Sequence, residues 1–128
     1  MNKLKAVIIG CGAIFPMHAV SIQTLDDVQI AAVCDIKEDR AKKRAEEYNC
    51  KAYTDYKKMI EIEKPDTVHV CLPHWLHAPV SIYAMEHGAD VICEKPMALD
   101  EKQASDMLEC AKKTNAKLSV IFQNRYND

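Results

Sequence analysis

Four short stretches of this sequence carry residue types that could do chemistry. The first is Gly10-Cys11-Gly12-Ala13-Ile14-Phe15, which follows an apolar run and opens a helical one. That context is the one a dinucleotide-binding turn requires. Gly10 permits a tight turn, and Gly12 lets the backbone approach a pyrophosphate with no Cβ in the way. The helix beginning at Ala13 and Ile14 then offers free N–H groups and a positive dipole end to phosphate oxygens. Phe15 stands where the motif usually has a third small residue. The turn taken alone therefore also fits a plain strand-to-helix connection. The departure predicts that Phe15 packs away from the turn and that Phe15→Gly leaves binding intact.

The second is Asp35, at the end of the next apolar run and about twenty residues past the turn. A dinucleotide fold places a carboxylate there, against the adenosine ribose hydroxyls. Ile36 follows it, not an Arg or Ser that could hold a 2′-phosphate, so the pair favours NAD over NADP. The competing role for Asp35 is an N-cap of the helix after Lys37. A methyltransferase also has a glycine turn and an acid after its second strand. It usually carries an acid two residues before the first glycine, where this chain has Ile8, and a further glycine.

The third is Leu72-Pro73-His74-Trp75-Leu76-His77, and the fourth is Glu94-Lys95-Pro96. Each directly follows a strand-like run, at the sheet edge where open α/β folds bind ligands. No acid or cysteine near His74 and His77 completes a metal set, so no metal site is expected. Either histidine equally suits capping or packing at the next helix. Glu94 and Lys95 fit a surface ion pair of little energetic value. They also fit a proton donor at the cleft, and composition leaves both roles open.

These residues need a scaffold, and the pattern supplies one. Continuous apolar runs at 6–9, 30–34, 68–71, 91–93 and 118–122, with a weaker one at 51–53, read as strands buried on both faces. Helical stripes lie between them: Ala41, Ala45 and Tyr48; Tyr56, Met59 and Ile60 behind a Thr54 cap; and Ala104, Met107, Leu108 and Ala111 behind an Asp100–Gln103 capping box. Pro79 suits a first helical turn, and Gly88 suits a left-handed stop. The order β-α-β-α-β-α-β-α-β-α-β predicts an α/β doubly wound sheet of about six parallel strands in the order 3-2-1-4-5-6.

Length and composition agree with one globular domain spanning residues 1–128. Lys and Arg number 17 against 19 Asp and Glu, a net charge of −2. No basic excess points to nucleic acid or an anionic membrane. The apolar stretches are too short to span a bilayer. The N-terminus runs straight into a strand and lacks a signal-peptide cleavage pattern. None of the six cysteines forms a C-x-x-C pair, so free thiols in a reducing cytoplasm are expected.

Taken together, Gly10-Cys11-Gly12, Asp35, Leu72-Pro73-x-x-x-His77 and Gly88-Ala89-Asp90-Val91-Ile92-Cys93-Glu94-Lys95-Pro96 resemble the glucose–fructose oxidoreductase and inositol dehydrogenase (Gfo/Idh/MocA) family along essentially the whole chain. The glycine turn is generic, whereas Glu-Lys-Pro after that run is quite specific. The resemblance implies an N-terminal Rossmann domain binding NAD, with NADP less favoured. It implies hydride transfer to or from a sugar, cyclitol or related polyol. Gly10, Gly12, Ala13 and Ile14 would hold the pyrophosphate, and Asp35 the ribose. Leu72, Pro73, His74 and His77 would line the nicotinamide side with Glu94, and Lys95 would be the catalytic proton donor. It also implies a second, substrate-binding domain absent from residues 1–128, through which a full-length homo-oligomer associates. His74 departs from the Asn or Thr often found there. A stand-alone dinucleotide-binding module without catalysis is the alternative from another class.

Overall fold

A computed structural model of the chain describes residues 3–12, 15–72, 76–94 and 101–121. Six strands run β1 Leu4–Ile9, β2 Val28–Cys34, β3 Lys51–Tyr53, β4 Thr67–Val70, β5 Asp90–Glu94 and β6 Leu118–Ile121. Five helices connect them: α1 Phe15–Gln23, α2 Glu38–Tyr48, α3 Tyr56–Glu63, α4 His77–Glu86 and α5 Glu101–Thr114. All pairings are parallel, in the order β3-β2-β1-β4-β5-β6. This is the expected doubly wound Rossmann sheet.

Alternation along β1 shows how one strand serves two cores. Ala6 and Ile8 face α1 and α2, packing with Phe15, Ala19, Ile22, Val33 and Ala45. Val7 and Ile9 face the other way, packing with Val68, Val70 and Val91 beneath Met59 and Ile60 of α3, Val80 and Met85 of α4, and Met107 of α5. Each of the buried Val, Ile, Met and Phe side chains contributes roughly 1.5–3 kcal/mol on burial.

The chain leaves β1 toward one side of the sheet and leaves β4 toward the other, so their carboxyl ends form the switch point. Gly10 donates its N–H to Cys34 O at 2.7 Å, and Cys71 donates to Ile9 O at 2.8 Å. These bonds tie the ends of β1, β2 and β4 together. Gly10 has φ +101°, and a Cβ there would lie 2.4 Å from Cys71 O. Only glycine fits where the two diverging backbones pass.

Several local expectations are corrected. Asp55, not Thr54, caps α3: its Oδ1 accepts from Lys57 N at 2.9 Å and Lys58 N at 3.4 Å. Leu108 is exposed, and Cys110 joins Met107 on the buried stripe of α5. Asp100 and Phe122 lie outside the described residues. Phe15 does not merely pack away from the turn. It is 0% exposed and meets Tyr48 edge-on with ring centroids 5.5 Å apart. The Arg44 guanidinium lies 4.9 Å over the ring. Phe15→Gly therefore removes a central piece of the α1–α2 core. We expect it to lower the unfolding free energy by about 3–5 kcal/mol for the cavity. Urea denaturation checks this; a loss under about 1 kcal/mol would contradict the packing role.

Candidate functional site

The candidate site forms at the carboxyl ends of β1 and β2. β2 ends at Cys34, so Asp35 stands level with the turn at residues 10–12. Its side chain is 8% exposed. Oδ2 accepts the Cys11 N–H at 2.8 Å, and Oδ1 accepts the Lys37 N–H at 2.8 Å. The N-cap of α2 is Lys37, with no side-chain cap. Asp35 thus braces the glycine turn and the entry to α2 and is not the helix cap. An ionised carboxylate has about four lone-pair sites, so two are left for further donors.

Gly12 differs from Gly10. Among the described residues, a Cβ on Gly12 would find only Arg40 Nη1, at 3.7 Å, an ordinary contact. Cys11, Gly12, Arg40, Lys43 and Arg44 line an opening of about 310 Å³ at this point. Arg40 Nη1 stands 4.0 Å from Asp35 Oδ2. The arrangement suits a dinucleotide: an unobstructed backbone at Gly12, the head of α1 beyond it, and a fixed carboxylate beside both. Cys11 is a buried thiol at this turn. Burial first, and then the Asp35 carboxylate, push its thiol up to about 12, and Sγ lies 3.5 Å from Cys34 O.

The second half of the site is described in part. His77 is 2% exposed, and its Nε2 donates to Leu72 O at 2.8 Å. A carbonyl only accepts, so this ring nitrogen carries the proton. His77 thereby fastens the start of α4 to the strand end before it. Glu94 closes β5. Ala13, Ile14, Pro73, His74 and Lys95 lie outside the described residues. Among the described residues, no group of three His, Cys, Asp or Glu side chains could hold a metal ion.

Sequence reasoning did not single out Arg40, Lys43 or Arg44. The signal was present: Arg40 and Arg44 are four apart on a helix and share a face. Nor did it foresee the buried pair His18 and His69, whose Nδ1 atoms are 2.8 Å apart. One must donate and the other accept. Burial, and then His18, lower His69 to about 4, so its ring is neutral at pH 7. The pair borders a mostly apolar cavity of about 310 Å³ that also meets Ala6, Val28 and Thr67. Val28 and Thr67 begin their strands, so this cavity sits away from the ligand-binding edge.

Residues 4–122 match a family model described as an oxidoreductase family with an NAD-binding Rossmann fold. The chain is 36% identical over 127 residues to D-glucoside 3-dehydrogenase of Escherichia coli strain K12, covering 98% of this chain and 36% of that protein. It is 32% identical to myo-inositol 2-dehydrogenase of Thermotoga maritima, covering 97% of this chain and 37% of that one. The WlbA dehydrogenase of Chromobacterium violaceum, solved with NADH and UDP-GlcNAcA, superposes with a TM-score of 0.92 at 30% identity. That match covers 99% of this chain and 37% of its counterpart. The chain thus spans a little over a third of the length of these relatives.

Proposed function

This chain belongs to the Gfo/Idh/MocA family of oxidoreductases, with its NAD-binding Rossmann fold, and from that premise we propose that it is the cofactor-binding domain of a polyol or sugar dehydrogenase. The observation that carries the reading is Asp35, a nearly buried carboxylate held beside the glycine turn by the Cys11 N–H. Gly10, Gly12 and the N–H groups of Ala13 and Ile14 would receive the pyrophosphate, and Asp35 the adenosine ribose. Leu72, Pro73, His74 and Glu94 would border the nicotinamide side, with His77 bracing that wall from behind. The nicotinamide supplies the hydride chemistry when bound; the protein supplies position and charge. Lys95 would hydrogen-bond the reacting oxygen and move its proton, given a pKa brought toward working pH by its surroundings.

The length of the relatives supports a second domain that completes the substrate pocket, with a sugar, cyclitol or related polyol held there. Self-association through that domain and a cytoplasmic location belong to the same reading. No helix among the described residues is long and apolar enough to cross a membrane.

The test is cofactor choice. A 2′-phosphate near Asp35 meets a like charge, costing roughly 4 kcal/mol at 4 Å and a surface-like dielectric, as an upper figure. NAD should bind more tightly than NADP in direct titration. Ile36 is exposed at the rim, so Asp35→Ser with Ile36→Arg should narrow or reverse the difference. Equal or tighter NADP binding by the unmodified chain would refute the role given to Asp35.

A further inference from the structure

We propose that the buried His18–His69 pair is an acid-sensitive strap on the head of α1: one proton shared between the two rings holds α1 against β4, and a second proton releases it, so that acid and the cofactor oppose each other at the glycine turn. The strap itself is a property of the fold, while its effect on the cofactor rests on the dinucleotide reading above.

The hydrogen bond sets the proton count. The two Nδ1 atoms are 2.8 Å apart, so one carries hydrogen and the other is bare. A second proton replaces that bond with two N–H groups aimed at each other, on two cations. Both rings are buried, so water screens little of the repulsion.

Among the described side chains facing the pair, none supplies a counter-charge. Apart from the two histidines, no residue lining the adjoining cavity titrates. α1, β2 and β4 carry no Asp, Glu, Lys or Arg. Lys5 of β1 faces the other side of the sheet, where its Nζ donates to Glu63 O at 3.2 Å. On β5, Asp90 accepts the Lys117 N–H at 2.9 Å, and Glu94 closes the strand two residues beyond Ile92. The other titratable members of this core are Cys11, Tyr48, Cys50 and Cys71, thiols and a phenol that stay neutral in acid. The folded chain therefore resists the second proton, and burial, then His18, hold His69 down at about 4. A histidine freed from these surroundings takes its proton near 6.5. The strap is at full strength above 6.5. It weakens by about tenfold per pH unit as the pH falls from there toward 4.

Placement joins the strap to the turn. His69 sits in mid-sheet, with β4 in register between β1 and β5 at Ile8 and Ile92. His18 stands in the first turn of α1, whose Phe15 N–H donates to Gly12 O at 3.2 Å. The rest of the buried face of α1, Phe15, Ala19 and Ile22, is apolar and takes up no proton. Movement of α1 away from β4 would carry off the helix head that receives the pyrophosphate.

The experiment follows the imidazole nitrogens by NMR, and backbone amide exchange, from pH 7 down to pH 5. It uses the unmodified chain with and without NAD, and His69→Asn and His18→Asn. Asparagine keeps an amide near the Nδ1 position and takes up no proton; two variants are made so that one may be lost to misfolding. Exchange protection of the α1 amides should fall about tenfold per pH unit below 6.5 in the unmodified chain, and far less in a folded variant. Saturating NAD should lower the apparent pKa of the pair, as reciprocal linkage requires. Equal loss of protection in the unmodified chain and the variant, or rings that titrate near 6.5 while α1 stays protected, overturns the strap and leaves the dinucleotide reading intact. A titration of the pair that bound NAD does not move overturns the opposition between acid and cofactor. If NAD does not bind at all, the dinucleotide reading fails, and the loss of α1 protection in acid still decides the strap.

Discussion

Gly12→Val should weaken NAD binding by roughly 10²-fold, about two lost charge-assisted hydrogen bonds, and leave the far-UV circular dichroism close to that of the unmodified chain. The two glycines of the turn serve different ends, and the structure separates them. At Gly12 a Cβ meets, among the described residues, only the far end of the Arg40 side chain, at 3.7 Å. The folded chain can therefore accept a branched residue, and the cost falls on a ligand that must lie against the backbone. At Gly10 the φ of +101° and the 2.4 Å approach to Cys71 O leave no such room. Gly10→Ala should destabilise the fold itself, by roughly 3 kcal/mol or more, because strain and a backbone clash act together. Chemical denaturation beside NAD titration distinguishes the two. If Gly12→Val binds NAD normally, the phosphate-cradle role of the turn is wrong.

The other large effect is expected at Lys95. In a polypeptide carrying both domains, Lys95→Met should reduce turnover by a factor of roughly 10² or more, the scale of a lost acid–base contribution. Affinity for NAD should change far less, because the proposed role of the ammonium is toward substrate and not the adenosine half. Residues 1–128 assayed alone should show no measurable polyol oxidation. On the proposed reading they provide one wall of a cleft, and holding two reactants together supplies effective molarities of about 10⁵–10⁸ M. Steady-state kinetics with a panel of polyols and NAD checks both statements. Near-normal turnover of the Lys95→Met enzyme would return Lys95 to a surface ion pair with Glu94. Substantial turnover by residues 1–128 would remove the need for a second domain.

Much of the architecture was legible because buried parallel strands leave a plain mark. The apolar runs at 6–9, 30–34 and 91–93 have to satisfy two cores at once, so they lack polar alternation and stand out, and the run at 68–71 departs from this only at buried His69. Asp35 was legible for a related reason, being the first charged residue after such a run. Its exchange of roles was not. An acid at that place can cap a helix, hold a ribose or brace a turn, and the 2.8 Å bond from Cys11 N together with the N-cap at Lys37 separates bracing from capping. Arg40 was hidden in a stretch of alternating charges, Lys37 to Glu47, that reads as a solvated helix face. Which of those charges turns inward depends on where α2 sits against β1. Thr54 and Asp55 are adjacent residues of similar capping ability, so helix phase decided between them. Leu108 illustrates the same limit: one residue of phase on α5 separates a buried position from an exposed one. Family membership removes the methyltransferase alternative that the glycine turn and Asp35 had left open.

The central claim is that NAD lies across the carboxyl ends of β1 and β2, against Gly12 and beside Asp35. The most direct test is a titration of ¹⁵N-labelled chain with NAD, following the backbone amides by NMR. The account predicts saturable shifts concentrated at Gly10, Cys11 and Gly12 and from Asp35 to Lys37, with the same amides unmoved by S-adenosylmethionine. Saturating NAD that leaves those amides in place, or that instead moves Met17, Ser21 and Leu25 around the cavity on the far side of α1, would contradict it.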